Sequence, residues 1–508
     1  MPDTARKPKT ARRRLFDLHS WVGFHLALLM TIIVATGTFA TVSNEIDWLF
    51  QHDMRVVPDG SKVSWQVIED AAKAYDPEGR MINLEAMPGD HFAYRARMTN
   101  AHGQPYFLHI NQWTGEVTGT THPMTVQRIL RDFHRHLFMP NFIGLPLVSA
   151  FAFVLAISLY TGLRTTRNWK TIATRIRVSK GTRTTIGDAH KAFGIWAIWF
   201  FLVMIVTSVW YLAEFGAGVA GSRFEPERPR LETAQVHAFG EVIQDRGAGD
   251  IIAAARAAYP ELKPTQILYP FTARDPVTVL GMTDNPLLRD RANRVFLNPV
   301  TLEPLKVQRA SEIGAIAWLN ELADPLHFGY FGGLPTKLVW FVFGLGMTGL
   351  SLSGVWLTWK RLKSTSVTKA QFATFPVLLI SFAFATGWYD RLHTPSLPAS
   401  ERMCAESGSG PVSLKVFLET GSDKGPPDAI RVLVTGSAGR PNLTGMIISA
   451  HSETSGTGWE EAVRPDVFGQ TTVTRYKLEQ HSSDALSRID VRVGIAGGAQ
   501  LHAGCYIP

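Results

Sequence analysis

Residues 17–24 read "DLHSWVGF" and residues 188–195 read "DAHKAFGI", so an acid, a histidine and a glycine recur at the same offsets, each time ahead of a long apolar run. Two more stretches, "LRDFHRHLFMPNFIGLPL" and "LADPLHFGYFGGLPTKL", place histidine ahead of another apolar run. Neutral imidazole is a common metal ligand, and an ionisable group at membrane depth is a functional candidate by default. His19 and His190 occupy equivalent positions, and His327 is the counterpart of His134 or His136. A two-fold axis brings equivalent positions face to face across a helical bundle. Two imidazoles opposed across a flat macrocycle hold a six-coordinate haem iron. Two such pairs predict two haems stacked along the axis. They would be b-type and non-covalent, since the sequence has no C-x-x-C-H for covalent attachment.

The four positions differ in their competitors. His134 and His136 point about 200° apart on a helix, so one of them faces the axis. His134 follows the Asp-aromatic entry, and His136, nearer the helix proper, stays open as its alternate. His25 lies roughly 9 Å deeper than His19 and has Trp196 as its counterpart, which ranks it second to His19. Gly23, Gly37, Gly162, Gly194 and the group Gly344, Gly346 and Gly349 leave room for a porphyrin, or simply let helices approach closely. A single histidine at a helix end is usually an interfacial or capping residue; repeat matching is what argues for ligands. Zinc prefers four close ligands, whereas these histidines divide between opposite ends of the bundle.

The elements that must position them follow from hydropathy. Trp21–Val42, Ile143–Leu163, Phe193–Leu212, Leu338–Trp359 and, as a fifth, Ala373–Trp388 have the length and low charge of bilayer-spanning helices. The first run is too long for a cleaved signal peptide and reads as an anchor. The formal charge of +8 comes from basic residues in three places, Arg6–Arg14, Arg164–Arg183 and Lys360–Lys369, each beside a helix end. Alternating spans put all three on one side, which the positive-inside bias makes the cytoplasm. This placement accounts for the charge without nucleic acid. Segments 43–142, 213–337 and 389–508 are then external. Cys404 and Cys505 both fall in the last of these and read as a disulfide of an oxidising compartment.

The chain is a tandem repeat. "SWQVIEDAAKAY" and "DIIAAARAAYPE" are helical patterns, each followed by alternating, strand-like runs: "FAYRARM" and "PYFLHINQWTGEVTG", then "PVTVLGM" and "NRVFLNPVTLEPL". Asn111, Thr114 and Glu116 recur as Asn298, Thr301 and Glu303. Each external domain reads as one helix on a small antiparallel sheet. Both halves start from the cytoplasm, so the repeats are parallel about an axis along the membrane normal.

These stretches, "LHSW-VG", "FHRHLF", "DAHKAFG" and "LHFGYFGGLP", with "INQWTGEV" as the end of a PepSY domain, resemble the PepSY-associated transmembrane-helix family over roughly residues 15–362. The family includes haem-containing inner-membrane ferrisiderophore reductases of bacteria. The resemblance implies haem-based electron transfer to ferric iron outside the cytoplasmic membrane, and it supports His19, His134, His190 and His327 in particular. Beyond residue 395 nothing matches the pattern; "VSLKVFL", "IRVLVTG" and "RIDVRVGI" read as strands of a small β domain.

The expected fold is an α-helical integral membrane bundle of four core transmembrane helices plus a fifth, two external α+β PepSY-like domains and a small C-terminal β domain. Its parts are 1–42, the N-terminus and first span; 43–133, the first external domain; 134–164, the second span; and 165–189, a basic loop. They continue with 190–213, the third span; 214–326, the second external domain; 327–362, the fourth span; 363–390, a loop and fifth span; and 391–508, the β-rich tail. The expected function is a di-haem oxidoreductase passing electrons to an external ferric acceptor such as a ferric siderophore. No GxGxxG motif occurs in the cytoplasmic segments, so quinol or a separate reductase is the expected donor. The competing reading is a membrane-anchored PepSY module that binds a peptide or protein, or senses one, without redox activity. Solute transport would want helices broken near the midplane, and the apolar runs carry no proline at their centres, which counts against it.

Overall fold

In chain order the first half runs α1 (Ala11–His25), α2 (Ala27–Thr41), α3 (Ser43–Phe50), α4 (Trp65–Tyr75), β1 (Arg80–Glu85), β2 (Tyr94–Thr99), β3 (Pro105–Ile110), β4 (Val117–Thr121), α5 (Val126–His136) and α6 (Asn141–Thr165). A linking helix, α7 (Trp169–Thr174), leads to the second half: α8 (Thr182–Trp196), α9 (Ile198–Val219), α10 (Ala248–Ala258), β5 (Lys263–Leu268), β6 (Val277–Met282), β7 (Asn293–Leu297), β8 (Pro304–Gln308), α11 (Ala315–Phe328) and α12 (Gly333–Leu362). This computed structural model describes residues 10–77, 79–100, 104–231, 246–270, 274–362 and 374–393. In the tail it describes 400–420, 427, 429–437, 441, 443–452, 456–463, 467–468, 471–478, 486–495 and 499–507. The basic residues expected before Thr10 and after Leu362, and Ala373, lie outside these ranges.

Among the described residues, α6, α9 and a helix over Tyr330–Lys360 are long and apolar enough to cross a membrane. Apolar side chains such as Phe153, Tyr160, Leu202, Val206 and Val342 stay exposed on them, as expected of helices whose outer face meets lipid rather than water. The first expected span, Trp21–Val42, is not one helix. The chain breaks at Leu26, and α1 and α2 meet at a 67° bend, so this pair makes a fourth span only if counted as one. The third, Phe193–Leu212, is likewise interrupted, at Ala197 between α8 and α9. The spacing between the two breaks equals that between His19 and His190, so the break belongs to the repeat. The expected fifth span falls in α13 (Thr374–His393), whose apolar stretch, Pro376–Ala385, is shorter than a span.

Packing follows the two-fold. α2 packs on α12 as α9 packs on α6; α1 packs on α6 as α8 packs on α12; and α5 lies on α2 as α11 lies on α9. At one end of this bundle sits a single eight-stranded sheet with the order β4-β3-β2-β1-β5-β6-β7-β8. The two small sheets expected from sequence are therefore joined edge to edge. β1 and β5 pair antiparallel, with Leu84 opposite Ile267, and the order reads alike from both edges. The motif that recurs in sequence builds one turn twice: Asn111 Oδ1 accepts from Trp113 N and Asn298 Oδ1 from Val300 N, both at 2.9 Å. Thr114 and Thr301 accept from Glu116 N and Glu303 N, both at 3.2 Å. α4 and α10 contact each other, and buried Glu69 on α4 accepts from Ala248 N at the start of α10, at 2.6 Å.

The tail contains β9 (Ser400–Ser409), β10 (Val412–Thr420), β11 (Ala429–Gly436), β12 (Leu443–His451), β13 (Gly458–Val463), β14 (Val467–Phe468), β15 (Thr471–Lys477), β16 (Arg488–Ile495) and β17 (Gln500–Tyr506). They form a five-stranded sheet, β14-β15-β11-β10-β9, and a four-stranded one, β13-β12-β16-β17, over one shared core. The three runs legible in sequence are β10, β11 and β16. Cys404 on β9 and Cys505 on β17 form a disulfide between the two sheets.

Candidate functional site

The break at Leu26 tilts α1 so that His19 reaches α6, and the break at Ala197 does the same for α8, whose His190 reaches α12. The two imidazole rings come together with centroids 6.4 Å apart and planes at 83°. They line a cavity of about 740 Å³ at the bundle end away from the sheet. Arg12, Arg13, Arg183 and Lys191 also line it. Just before His190, Asp188 takes two bonds from the Arg177 guanidinium, at 2.7 and 2.8 Å, and one from the Arg177 backbone N–H. Those hydrogen bonds hold its carboxyl down at about 2 and tie the connecting loop onto α8.

At the sheet end, His134 closes α5 and His327 closes α11. Both helices stop at a left-handed residue, Leu137 (φ 54°) and Gly329 (φ 70°), before the long helices begin. The ring centroids lie 6.1 Å apart with planes at 37°. A second cavity of about 480 Å³ surrounds them. Its charged wall includes Arg289, which donates to Glu321 Oε2 at 2.8 Å, Asp324 Oδ2 at 2.7 Å and the Asn320 carbonyl at 2.6 Å. Burial disfavours its charge, but Asp324 and Glu321 raise Arg289 above the ordinary arginine range. Tyr211 donates to Asp324 Oδ1 at 2.6 Å and stands edge-on to His327.

All four histidines are locked in one tautomer. His19 Nδ1–H donates to the Ser158 carbonyl at 3.1 Å and Thr161 Oγ1 at 3.0 Å; His134 Nδ1–H donates to the Ile33 carbonyl at 2.8 Å. His190 and His327 meet Ser353 Oγ and Thr207 Oγ1, each at 2.8 Å. Those hydroxyls already donate to the Leu350 and Val203 carbonyls, so they accept from Nδ1–H. Each Nε2 therefore keeps its lone pair, the arrangement in which outer-shell partners orient a metal-binding imidazole.

The spacing fits a haem iron. A metal–imidazole nitrogen bond of about 2 Å, with about 1 Å more to the ring centre, puts two rings on opposite sides of one metal roughly 6 Å apart. Both cavities lie within the roughly 300–1,000 Å³ usual for cofactor sites. Gly23 and Gly194 line the larger cavity, and a Cβ on either would enter open space. A Cβ on Gly37 would strike His134 Cε1 at 2.5 Å, so this glycine seats the ring. Gly162 also stands against a ring, that of His19, and Gly344 against Thr38 beside the smaller cavity. Gly346 seats Phe193 and has no part in either cavity lining, nor does Gly349.

The alternates point elsewhere. His25 stacks on Trp21 and bonds the Trp21 carbonyl at 2.9 Å, and His136 lies buried 3.6 Å from Asp132. Neither lines either cavity. Among the described residues no group of three or more His, Cys, Asp or Glu side chains is arranged to hold a bare metal ion. Sequence reading missed the hydroxyls that orient the rings. Their signal was present: Thr161-Gly162 and Ser353-Gly354 are a hydroxyl-glycine pair repeated in the two halves.

A family profile described as PepSY-associated TM region matches residues 16–361, which takes in all four histidines and the eight-stranded sheet. No curated protein matches the chain.

Proposed function

The chain belongs to the PepSY-associated TM region family and is a membrane protein, and from that premise we propose that it is an oxidoreductase of the bacterial inner membrane. It takes electrons from quinol or a separate reductase on the cytoplasmic side and delivers them to a ferric acceptor, such as a ferric siderophore, on the periplasmic side. The observation that carries this reading is the pair of opposed imidazole couples, each with Nε2 free, at the two ends of one bundle. His19 and His190 would hold an inner b-type haem and His134 and His327 an outer one; bound haem supplies reversible one-electron chemistry. Ser158, Thr161, Ser353 and Thr207 fix the ring tautomers. The sheet and the Arg289 cluster stand around the outer cavity, where a polar acceptor arrives without crossing lipid. Reduction lowers the charge of iron and weakens its hold by hard oxygen ligands, which is the use of such a device in iron uptake.

The test is spectroscopic and then functional. Purified full-length protein is expected to show low-spin b-type spectra at two haems per chain. His190→Ala and His327→Ala should each leave one. Chemically reduced protein should be reoxidised by a ferric hydroxamate with release of iron to a ferrous chelator, and His327→Ala should abolish this while the inner haem remains reducible. Well-folded protein that stays colourless after expression with ample haem would leave a membrane-anchored binding or sensing module instead.

A further inference from the structure

The two cavities share part of their walls. Met30 and Val34 from α2, Leu155 from α6 and Met347 from α12 line both. α9 completes the boundary with consecutive residues, Phe200 toward the smaller cavity and Phe201 toward the larger. A side chain that touches both spaces leaves no second layer between them at that point. Val34, Leu155, Phe200, Phe201 and Met347 also pack into one apolar cluster.

The wall obeys the repeat. The spacing that separates His19 from His190 and Gly23 from Gly194 also separates Met30 from Phe201. The spacing that separates Gly162 from Gly354 separates Leu155 from Met347. Two equivalent pairs, one residue from each of the four helices, therefore meet at the centre of the bundle. None of these side chains carries a hydrogen-bonding N–H or O–H group, and a water needs two to four polar partners to be held in place.

We propose that Met30, Phe201, Leu155 and Met347 form a wall one side chain thick that couples the two sites electronically while closing the bundle axis to water and protons. The inference rests on the two-haem reading above. In a membrane device this division matters: a polar partition of the same thickness would pass protons beside the electrons, and a thicker apolar one would isolate the two sites.

The test uses the full-length protein loaded with haem. Two porphyrins held on either side of so thin a wall should give a two-signed couplet in Soret-region circular dichroism, and His327→Ala should collapse it to a single band. The double variant Leu155→Ala/Met347→Ala, in proteoliposomes with a trapped pH dye, should raise passive proton entry several-fold while haem content stays at two. The volume-conserving pair Leu155→Met/Met347→Leu should stay tight. Two haems per chain with no couplet would overturn the coupling, and a proton-tight double alanine variant would overturn the seal. If that variant fails to fold, the spectrum of the unaltered protein still decides the coupling. Absence of haem would instead sink the functional reading on which the wall depends.

Discussion

A hydroxyl that donates along its own helix can only accept from an imidazole beside it, and this is how Thr207 fixes His327. Thr207→Val keeps the volume but strands a buried Nδ1–H. Loss of such an outer-shell partner usually costs 10–100-fold in metal affinity, at roughly the scale expected here for the outer haem with the inner one unchanged; haem titration of the apoprotein reads it. His109 on β3 gives a pH signature. It is 1 % exposed and bonded to Thr121 Oγ1 at 2.8 Å. Burial, then the charge of Arg95, lower it from 6.5 to about 4. The unfolded chain accepts a proton near 6.5 that the folded chain refuses until about 4, so stability present above that window is lost as pH falls through it. Over the whole window the loss is on the order of 3 kcal/mol. His109→Gln should flatten the fall in thermal midpoint between pH 7.5 and 5; an unchanged fall assigns the acid sensitivity elsewhere. At this scale the ring-bearing positions were legible because they repeat. His134 and His136 stayed ambiguous because neighbouring turns, not spacing, decide which one faces the axis.

An element positions a ligand only as firmly as its own ends are held. α5 begins where the Asp47 carboxylate, carried on α3, accepts from Val126 N at 2.7 Å and Gln127 N at 3.0 Å. Asp47→Ala should cost about 1–2 kcal/mol, the usual loss for a helix cap, and release haem from the outer site before the inner one. Equal loss from both sites in a heme-retention assay would mean that α5 is not what secures His134. The long helices were visible in sequence as apolar runs, and β2, β3, β6 and β7 as alternation. The breaks at Leu26 and Ala197 were not, because each falls on a leucine or alanine, residues that ordinarily favour a helix, with no proline beside it. β1 and β5 were missed for a different reason. "RMINLE" and "KPTQIL" are short and mixed in polarity, and it is their pairing with each other across the repeat that places them in the middle of a sheet.

For the whole molecule, orientation and the tail carry separate tests. If the basic loops face the cytoplasm, a cysteine introduced near Lys170 should react with a membrane-impermeant probe only after the inner membrane is opened; labelling from outside would reverse the proposed electron path. In the tail, Cys404 and Cys505 close a loop with a sequence separation of 101. For a loop of about 100 residues chain entropy assigns roughly 4.7 kcal/mol to the crosslink. Replacing both with serine should lower the unfolding midpoint of the tail and leave both haem spectra intact. The seam between β1 and β5 has a consequence of its own. Each half, standing alone, would present one raw edge of unpaired N–H and C=O groups, which is a template for another strand. The partner that best fits that edge is a second copy of the same half. A chain nicked between α7 and α8 should therefore hold together as two complementing fragments, and half a chain expressed by itself should be found as a pair.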